Sequence, residues 1–243
     1  MPMRKESKGI KQIVIIAGGL ATRLRPITET IPKSMVLLKG KPFFIHQIEL
    51  CKKNGIKEII FCGGHLWEQV KNYFGNGKKF GVKIVYSIEK EKLDTGGAIK
   101  NAFPYLDKEF YVIYGDSYLT LDWRKAYKFY KKSKAKGLMT TYENNWNPEP
   151  SNVLVDKEAY VLEFNKENPR PEMRHIEYGI NILTKDIINK IPDKYFPISR
   201  YFDLLISKRQ LISYTSKERF YEVGCFEGIE GCLKYFDKTF YSV

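Results

Sequence analysis

An α/β protein with a mainly parallel sheet and helices on both faces is the architecture this 243-residue sequence predicts. Three observations carry the expectation. Short aliphatic or aromatic runs recur at strand length, and apolar residues at helical spacing separate them. After residue 137 the pattern changes to hairpin-like pieces, so antiparallel strands join the same sheet.

The elements follow in order. "IVIIA" (13 to 17) reads as the first strand, and Phe44, Ile48 and Cys51 mark a helix face. "EIIFCGG" (58 to 64) is the second strand, Leu66, Val70, Tyr73 and Phe74 a second helix, and "VKIVYSIE" (82 to 89) and "EFYVIYGDS" (109 to 117) the next two strands. "WRKAYKFYKKSKAK" (123 to 136) carries Trp123, Ala126, Tyr127 and Tyr130 at i, i+3, i+4, i+7, an amphipathic helix with a lysine-rich wet face. Then come "GLMTTYE", a hairpin "NVLVDKEAYVLEF", "IEYGINILT", two helices, a closing strand "QLISYTSKERFYEVG" and a final helix "FEGIEGCLKYFDK". Segments 144–150 and 165–174 are the expected mobile loops. With no internal repeat and no Gly-, Pro- or Ser-rich linker, one domain is expected.

Bulk properties narrow the classes. An apolar content of 43% suits a substantial core. No run of about eighteen apolar residues appears, and the start "MPMRKESKGIKQ" lacks the apolar stretch of a secretory signal, so a cytoplasmic chain without membrane contact is expected. Cys51, Cys62, Cys225 and Cys232 form no CxxC pair, which fits reduced thiols. "CGGH" (62 to 65) offers two zinc ligands but no second pair stands at a suitable spacing. A net charge of +13 points to polyanions: nucleic acid, an acidic membrane face or phosphorylated metabolites. The aromatics of the basic helix lie at core-facing spacing, and no helix-turn-helix, zinc-finger or RNP signature is present, so nucleic acid is not the expected partner.

In an open parallel sheet, ligands bind beyond the carboxyl ends of the strands. "AGGLATR" leaves the end of the first strand there, and its glycines let backbone N–H groups approach a phosphate closely. Neither the G-x-G-x-x-G nor the Walker A pattern is met, and the glycines alone would equally suit a tight turn. Arg23, Arg25 and Lys33 lie within sixteen residues of Gly18. A planar fork and a point charge together suit a triphosphate, and Pro26 and Pro32 stiffen the chain that carries them. "VIYGDSYL" delivers Asp116 to another strand end, a position suited either to a cap or to a magnesium ligand. Glu222, just before Gly224, and Glu227 are the candidate partner acids.

"IVIIAGGLATRLRPITETIPKSMVLLKGKPFFIHQIE" resembles the amino-terminal signature of the sugar-1-phosphate nucleotidyltransferases, the pyrophosphorylases that make NDP-sugars: an aliphatic strand, A-G-G-x-G-T-R-L, then P-K-x-M, then K-P. The order continues. "LDTGGAIKNAF" is similar to the family's G-T-A-G-A-L segment, "VIYGDSYL" to its L-N-G-D strand end, "EYGINIL" to its G-I-Y strand, and "FYEVGCFEGIEGC" to its closing D-I-G-T-P-E, over residues 10 to 236. Three departures stand out: Ala21 replaces the third glycine, Glu222 stands where the second magnesium acid is usually Asp, and the E-K pair that meets the sugar phosphate survives only in "NKEN", with Lys166.

The resemblance implies a Rossmann-like nucleotide-diphospho-sugar transferase fold in a single domain, with residues 1–137 for the nucleotide and 138–243 for the sugar. It implies an enzyme that condenses a nucleoside triphosphate with a sugar 1-phosphate, releasing pyrophosphate, with Mg²⁺ as cofactor. Arg23 and Lys33 would be catalytic, and Asp116 and Glu222 would hold the metal. Ala17, Gly18, Gly19, Thr22, Gly96 and Gly97 would bind the nucleotide, the last two by letting backbone read the base. Lys166, Glu177, Tyr178, Gly179 and Asn181 would meet the sugar phosphate. GTP with a mannose- or heptose-type sugar, for surface polysaccharide synthesis, is the nearest match. UTP, CTP or dTTP use, or a catalytically silent nucleotide-binding regulator, are the alternatives, and self-association is left open.

Overall fold

A computed structural model of the chain describes residues 9–146 and 149–240. Most of the amino-terminal stretch, residues 1–8, and residues 147 and 148 of the first expected loop therefore lie outside the described residues.

The strands are β1 (Gln12–Ala17), β2 (Leu37–Leu38), β3 (Lys41–Pro42), β4 (Glu58–Gly63), β5 (Lys83–Ile88), β6 (Glu109–Tyr114), β7 (Ser117–Leu119), β8 (Gly137–Glu143), β9 (Val153–Val155), β10 (Val161–Phe164), β11 (His175–Thr184), β12 (Leu211–Ser216) and β13 (Phe220–Glu222). The helices are α1 (Ile27–Thr30), α2 (Phe43–Lys53), α3 (Trp67–Phe74), α4 (Asp94–Asn101), α5 (Trp123–Lys132), α6 (Lys185–Ile188), α7 (Ser199–Ile206) and α8 (Phe226–Phe240). One 9-stranded sheet runs β10-β9-β11-β6-β1-β4-β5, with β8 also beside β11 and β12 beside β8. Within it β1, β4, β5, β6, β8, β9 and β12 point one way and β10 and β11 the other. The expected α/β class with a mainly parallel sheet is therefore the one observed.

Burial along β1 shows why its sequence is apolar throughout. Ile13 and Ile15 enter one core and Val14 the other, because a strand turns successive side chains to opposite faces and both are covered. The first core holds α2, α3 and α5, with Phe43, Phe44, Val70, Phe74, Trp123 and Tyr130. The second holds α4 and α7, with Ala98, Ile99, Tyr201, Phe202 and Leu205. The lysine-rich helix α5 buries Trp123, Ala126, Tyr127 and Tyr130, as its spacing predicts. Asp122 caps it by accepting the Arg124 N–H at 3.0 Å. On α3 the spacing misleads twice: Tyr73 is exposed and Leu66 stands before the helix at φ 57°.

One further expectation changes. The closing strand 210–224 divides: β12 stays in the main sheet beside β8, whereas β13 leaves it and pairs with β7 in a separate antiparallel ribbon. The Ser216 hydroxyl, which donates to the Glu218 carbonyl and accepts the Glu218 N–H, makes the turn between them. Residues of the two expected loops also touch each other, the Trp146 indole N–H donating to the Met173 carbonyl at 2.8 Å, and Ser151 Oγ donates to Asn144 Oδ1 at 2.7 Å.

Strand β1 lies between β4 and β6, so the chain winds outward to β5 and returns to β6 on the other side. The connections that leave the carboxyl ends of β1 and β6 run to opposite sides of the sheet at this reversal, the place where an open α/β sheet leaves a crevice. Gly115 is required there: a Cβ would lie 2.8 Å from Ala17 Cβ and 2.9 Å from the Ile16 carbonyl oxygen. At the other flank of the crevice, the "DTGGA" segment is the first turn of α4, and its glycines pack on residues 194–197. A Cβ on Gly97 would lie 2.0 Å from the Lys194 carbonyl oxygen. Gly97→Ala is thus expected to destabilise the protein by about 1–3 kcal/mol, the usual cost of overpacking against backbone, read as a lower urea midpoint at unchanged slope.

Candidate active site

Three strand ends build the first half of the site. Gly18 follows β1, Gly64 follows β4 and Glu89 follows β5, and they meet closely: a Cβ on Gly64 would lie 2.8 Å from the Gly18 carbonyl oxygen. With residues 18–22, His65 and residues 90–92 they line a cavity of about 510 Å³. That size suits a nucleoside-sized ligand. Ala21 sits at φ 50°, ψ 44°, the left-handed region in which an L side chain is strained. Its carbonyl accepts the Leu24 N–H at 3.0 Å and the Thr28 hydroxyl at 2.8 Å, so the turn is held by its neighbours. Leu24, fully buried, anchors the turn and leaves the adjacent Arg23 exposed at the crevice.

The second half is a charged cluster. Lys33 Nζ lies 2.7 Å from Asp116 Oδ2, both side chains 20% exposed. Glu222 arrives from 106 residues away because β13 pairs with β7: Glu222 stands opposite Ser117, and the Val223 N–H donates to the Asp116 carbonyl at 2.8 Å. A Cβ on Gly224 would lie 2.9 Å from Arg23 Nη2 and 3.4 Å from both Asp116 Oδ2 and Glu222 Oε1, so these three groups surround a bare Cα. Burial raises the Glu222 carboxyl above its ordinary range, the Asp116 charge raises it further, and Arg23 and Lys33 oppose the rise.

A third cluster adjoins it. Glu177, its side chain 2% exposed, accepts from Lys166 Nζ at 3.3 Å, from the Tyr114 hydroxyl at 3.3 Å and from Asn181 Nδ2 at 3.0 Å. The ladder between β11 and β8 shifts register between Glu177 and Asn181, with Gly179 at φ 106° in the irregular stretch. Tyr114 links this cluster to the last. Burial raises its hydroxyl well above the ordinary value, and the charges of Glu177 and Asp116 add to the effect.

Most of the expected residues therefore converge: Gly18, Gly19 and Thr22 at the cavity, Arg23, Lys33, Asp116 and Glu222 around Gly224, and Lys166, Glu177, Gly179 and Asn181 in the third cluster. Others go elsewhere. Ala17 ends β1 against Gly115. The Gly96 and Gly97 N–H groups both donate to the Phe196 carbonyl, at 2.9 and 3.1 Å, so they are not free to read a base. Tyr178 points into the core, its hydroxyl donating to the Arg219 carbonyl. Glu227 is exposed in the first turn of α8 and is not among the charges acting on Glu222. Cys62 is buried, its Sγ donating to the Ala98 carbonyl, and burial pushes its thiol up, which removes it as a zinc ligand beside His65. Three residues escaped the sequence reading: Glu89, Tyr114 and Gly224. For Glu89 and Tyr114 the usable signal was the rule that located Asp116, a polar residue delivered at the carboxyl end of a parallel strand.

The nucleotidyl transferase family model matches residues 12–211. A D-glycero-α-D-manno-heptose 1-phosphate guanylyltransferase of Campylobacter jejuni is 39% identical over 178 residues, 73% of this chain and 78% of that protein. A UTP–glucose-1-phosphate uridylyltransferase of Synechocystis is 33% identical over 199 residues, 74% of this chain and 50% of that one. The crystal structure of HddC from Yersinia pseudotuberculosis complexed with GMP-PN superposes with a TM-score of 0.77 at 28% identity, covering 93% of this chain and 100% of that one.

Two outcomes follow from the geometry. Ala21→Gly relieves the left-handed strain and is expected to raise stability by about 0.5–1 kcal/mol, visible as a higher thermal midpoint. For Glu222, a proton affinity above that of the unfolded chain favours folding at acid pH, and the benefit fades as pH rises through the raised value. Near neutral pH the ionised carboxylate therefore costs stability. Glu222→Gln should raise the midpoint of the metal-free protein by about 1–3 °C and abolish any stabilisation of the parent by Mg²⁺.

Proposed function

The chain belongs to the nucleotidyl transferase family, and we propose that it joins a nucleoside triphosphate to a sugar 1-phosphate, giving an NDP-sugar and pyrophosphate. The observation that carries this reading is the meeting of Arg23, Asp116 and Glu222 around Gly224, with Lys33 on Asp116, beside a nucleoside-sized cavity. A guanine nucleotide and a heptose- or mannose-type sugar are the preferred substrates, supported by the Campylobacter guanylyltransferase and the GMP-PN-bound structure. The uridylyltransferase relative makes UTP the competitor.

The chemistry asks mainly for charge control. A phosphate monoester has its second pKa near ~6, so the sugar phosphate is largely dianionic at neutral pH and needs no general base. Bringing it to the α-phosphorus of a triphosphate opposes like charges, and positioned cations offset that repulsion. Arg23, exposed beside the Gly18–Gly19 turn, braces the leaving β and γ phosphates. Lys33, on its short turn after Pro32, holds the α-phosphate and the incoming phosphate. Lys166, Glu177, Gly179 and Asn181 orient the sugar from β11 and the segment after β10, so residues up to 137 serve the nucleotide and most later ones the sugar.

The donor set also fits a hard divalent cation. Asp116 and Glu222 present carboxylate oxygens on one side of Gly224, and Mg²⁺ favours one or two carboxylates with substrate phosphates completing its shell. When bound, it supplies positive charge to the phosphate oxygens. Among the described residues no helix is long and apolar enough to cross a membrane.

The test is pyrophosphate release from GTP, UTP, CTP, dTTP and ATP with a panel of sugar 1-phosphates and Mg²⁺. Activity with GTP and a heptose or mannose 1-phosphate is expected, and silence across the panel overturns the reading. Arg23→Ala should lower the rate by about 10³- to 10⁵-fold without unfolding the protein, and activity within tenfold of the parent removes Arg23 from the role.

A further inference from the structure

The apolar stripe of α2 is broken at one position. Phe44, Ile48 and Cys51 lie at i, i+4 and i+7, and the place at i+3 is taken by Gln47, which is 1% exposed. Its amide nitrogen donates to the Ser117 carbonyl at 2.9 Å and to the Tyr114 carbonyl at 3.3 Å. Both partners are acceptors, so the nitrogen and not the oxygen of the amide must face them. The buried Oε1 takes no hydrogen bond from the described residues. An orphaned acceptor in the core costs stability, so a glutamine is a poor choice here if filling space were all the position required.

What the amide holds is the turn between β6 and β7, which carries Asp116. The Gly115 N–H donates to the Ile16 carbonyl at 2.8 Å, and the Asp116 carbonyl accepts the Val223 N–H at 2.8 Å. Bonded and non-bonded pairs alternate along the antiparallel ladder of β7 and β13, so Ser117, next to Asp116, turns its carbonyl away from β13 and toward α2. Strands β1 and β13 thus hold the middle of the turn, and Gln47 ties its two ends to one helix. That helix also starts from the Lys33 segment, the Phe43 N–H donating to the Val36 carbonyl at 2.8 Å, so α2 locates both partners of the Lys33–Asp116 ion pair. We infer that Gln47 is a positioning residue: by bridging the carbonyls on either side of Gly115 and Asp116, it keeps the Asp116 carboxylate where it can share a divalent cation with Glu222. This inference rests on the nucleotidyl-transfer reading above.

The test titrates Mn²⁺, which carboxylates bind as they do Mg²⁺, into the full chain without nucleotide, counting the free ion by its electron paramagnetic resonance signal. Pyrophosphate release is followed against Mg²⁺ concentration alongside. Gln47→Met keeps the volume and removes both donors. It is expected to weaken Mn²⁺ binding by about tenfold to a hundredfold, the usual cost of removing a group that orients a metal ligand, and to raise the half-saturating Mg²⁺ by a similar factor. Gln47→Asn, whose amide is drawn back by one methylene, should fall between the parent and Gln47→Met, and it decides the matter alone if the methionine variant does not fold. Ile48→Val trims the same helix in the core without touching either hydrogen bond, and should lower the thermal midpoint while leaving Mn²⁺ affinity unchanged. Gln47 variants that lose stability yet keep the parent's Mn²⁺ affinity overturn the inference, since the residue then only fills the core. So does an Ile48→Val protein that loses Mn²⁺ as Gln47→Met does. A parent that neither binds Mn²⁺ nor releases pyrophosphate overturns the nucleotidyl-transfer reading instead.

Discussion

Two carboxylates held side by side, Asp116 and Glu222, are the constraint on which the site depends. Their proximity is unfavourable, since burial and then the Asp116 charge raise the cost of ionising Glu222. What tolerates it is local: Lys33 on Asp116 at 2.7 Å, Arg23 against the bare Cα of Gly224, and the backbone pairing of β13 with β7 that fixes the two acids in register. A side chain at Gly224 would push these groups apart. The glycine is therefore a condition of the cluster even though it carries no chemistry of its own.

The same logic of close approach runs along the strand ends. Gly64 stands against the Gly18 backbone, Gly115 against Ile16 and Ala17, and Gly18 against the Glu89 carboxylate, so a Cβ at any of the three would collide with its neighbour. Ala21 is the exception that tests the rule. It adopts the left-handed conformation that suits glycine, and the strain is borne by hydrogen bonds to its carbonyl and by the buried Leu24 one turn on. The methyl group is thus tolerated by conformation at some cost, and the loop still delivers Arg23 to the crevice.

Much of the fold was legible because its signals are local. Aliphatic runs, helical spacing on α5 and the hairpin turn around Asp156 each act over a few residues, and each appears where the pattern predicts. The reading failed where a local pattern has two uses. A glycine pair suggests backbone open to a base, yet the Gly96 and Gly97 N–H groups donate to the Phe196 carbonyl and residues 194–197 press on both. Tyr178, next to Glu177 in sequence, faces the opposite side of the sheet, since adjacent strand residues alternate. Glu89 was read as the end of a strand and nothing more, because its meaning comes from Gly18, on a strand two places away in the sheet.

By itself the sequence determined the α/β class, the order of its elements and the kinds of residue at each strand end, since these follow from short-range periodicity and backbone preference. It also placed Arg23, Lys33 and Asp116 at crevice-facing ends. Only the tertiary structure decided that Glu222 comes to Asp116, that Lys33 already pairs with it, that the Gly96 and Gly97 N–H groups are taken by the Phe196 carbonyl, and that Glu89 reaches Gly18. These are contacts between segments tens to about a hundred residues apart. Their register is set by strand pairing and by which backbones approach without a Cβ, and neither leaves a periodic mark on the chain.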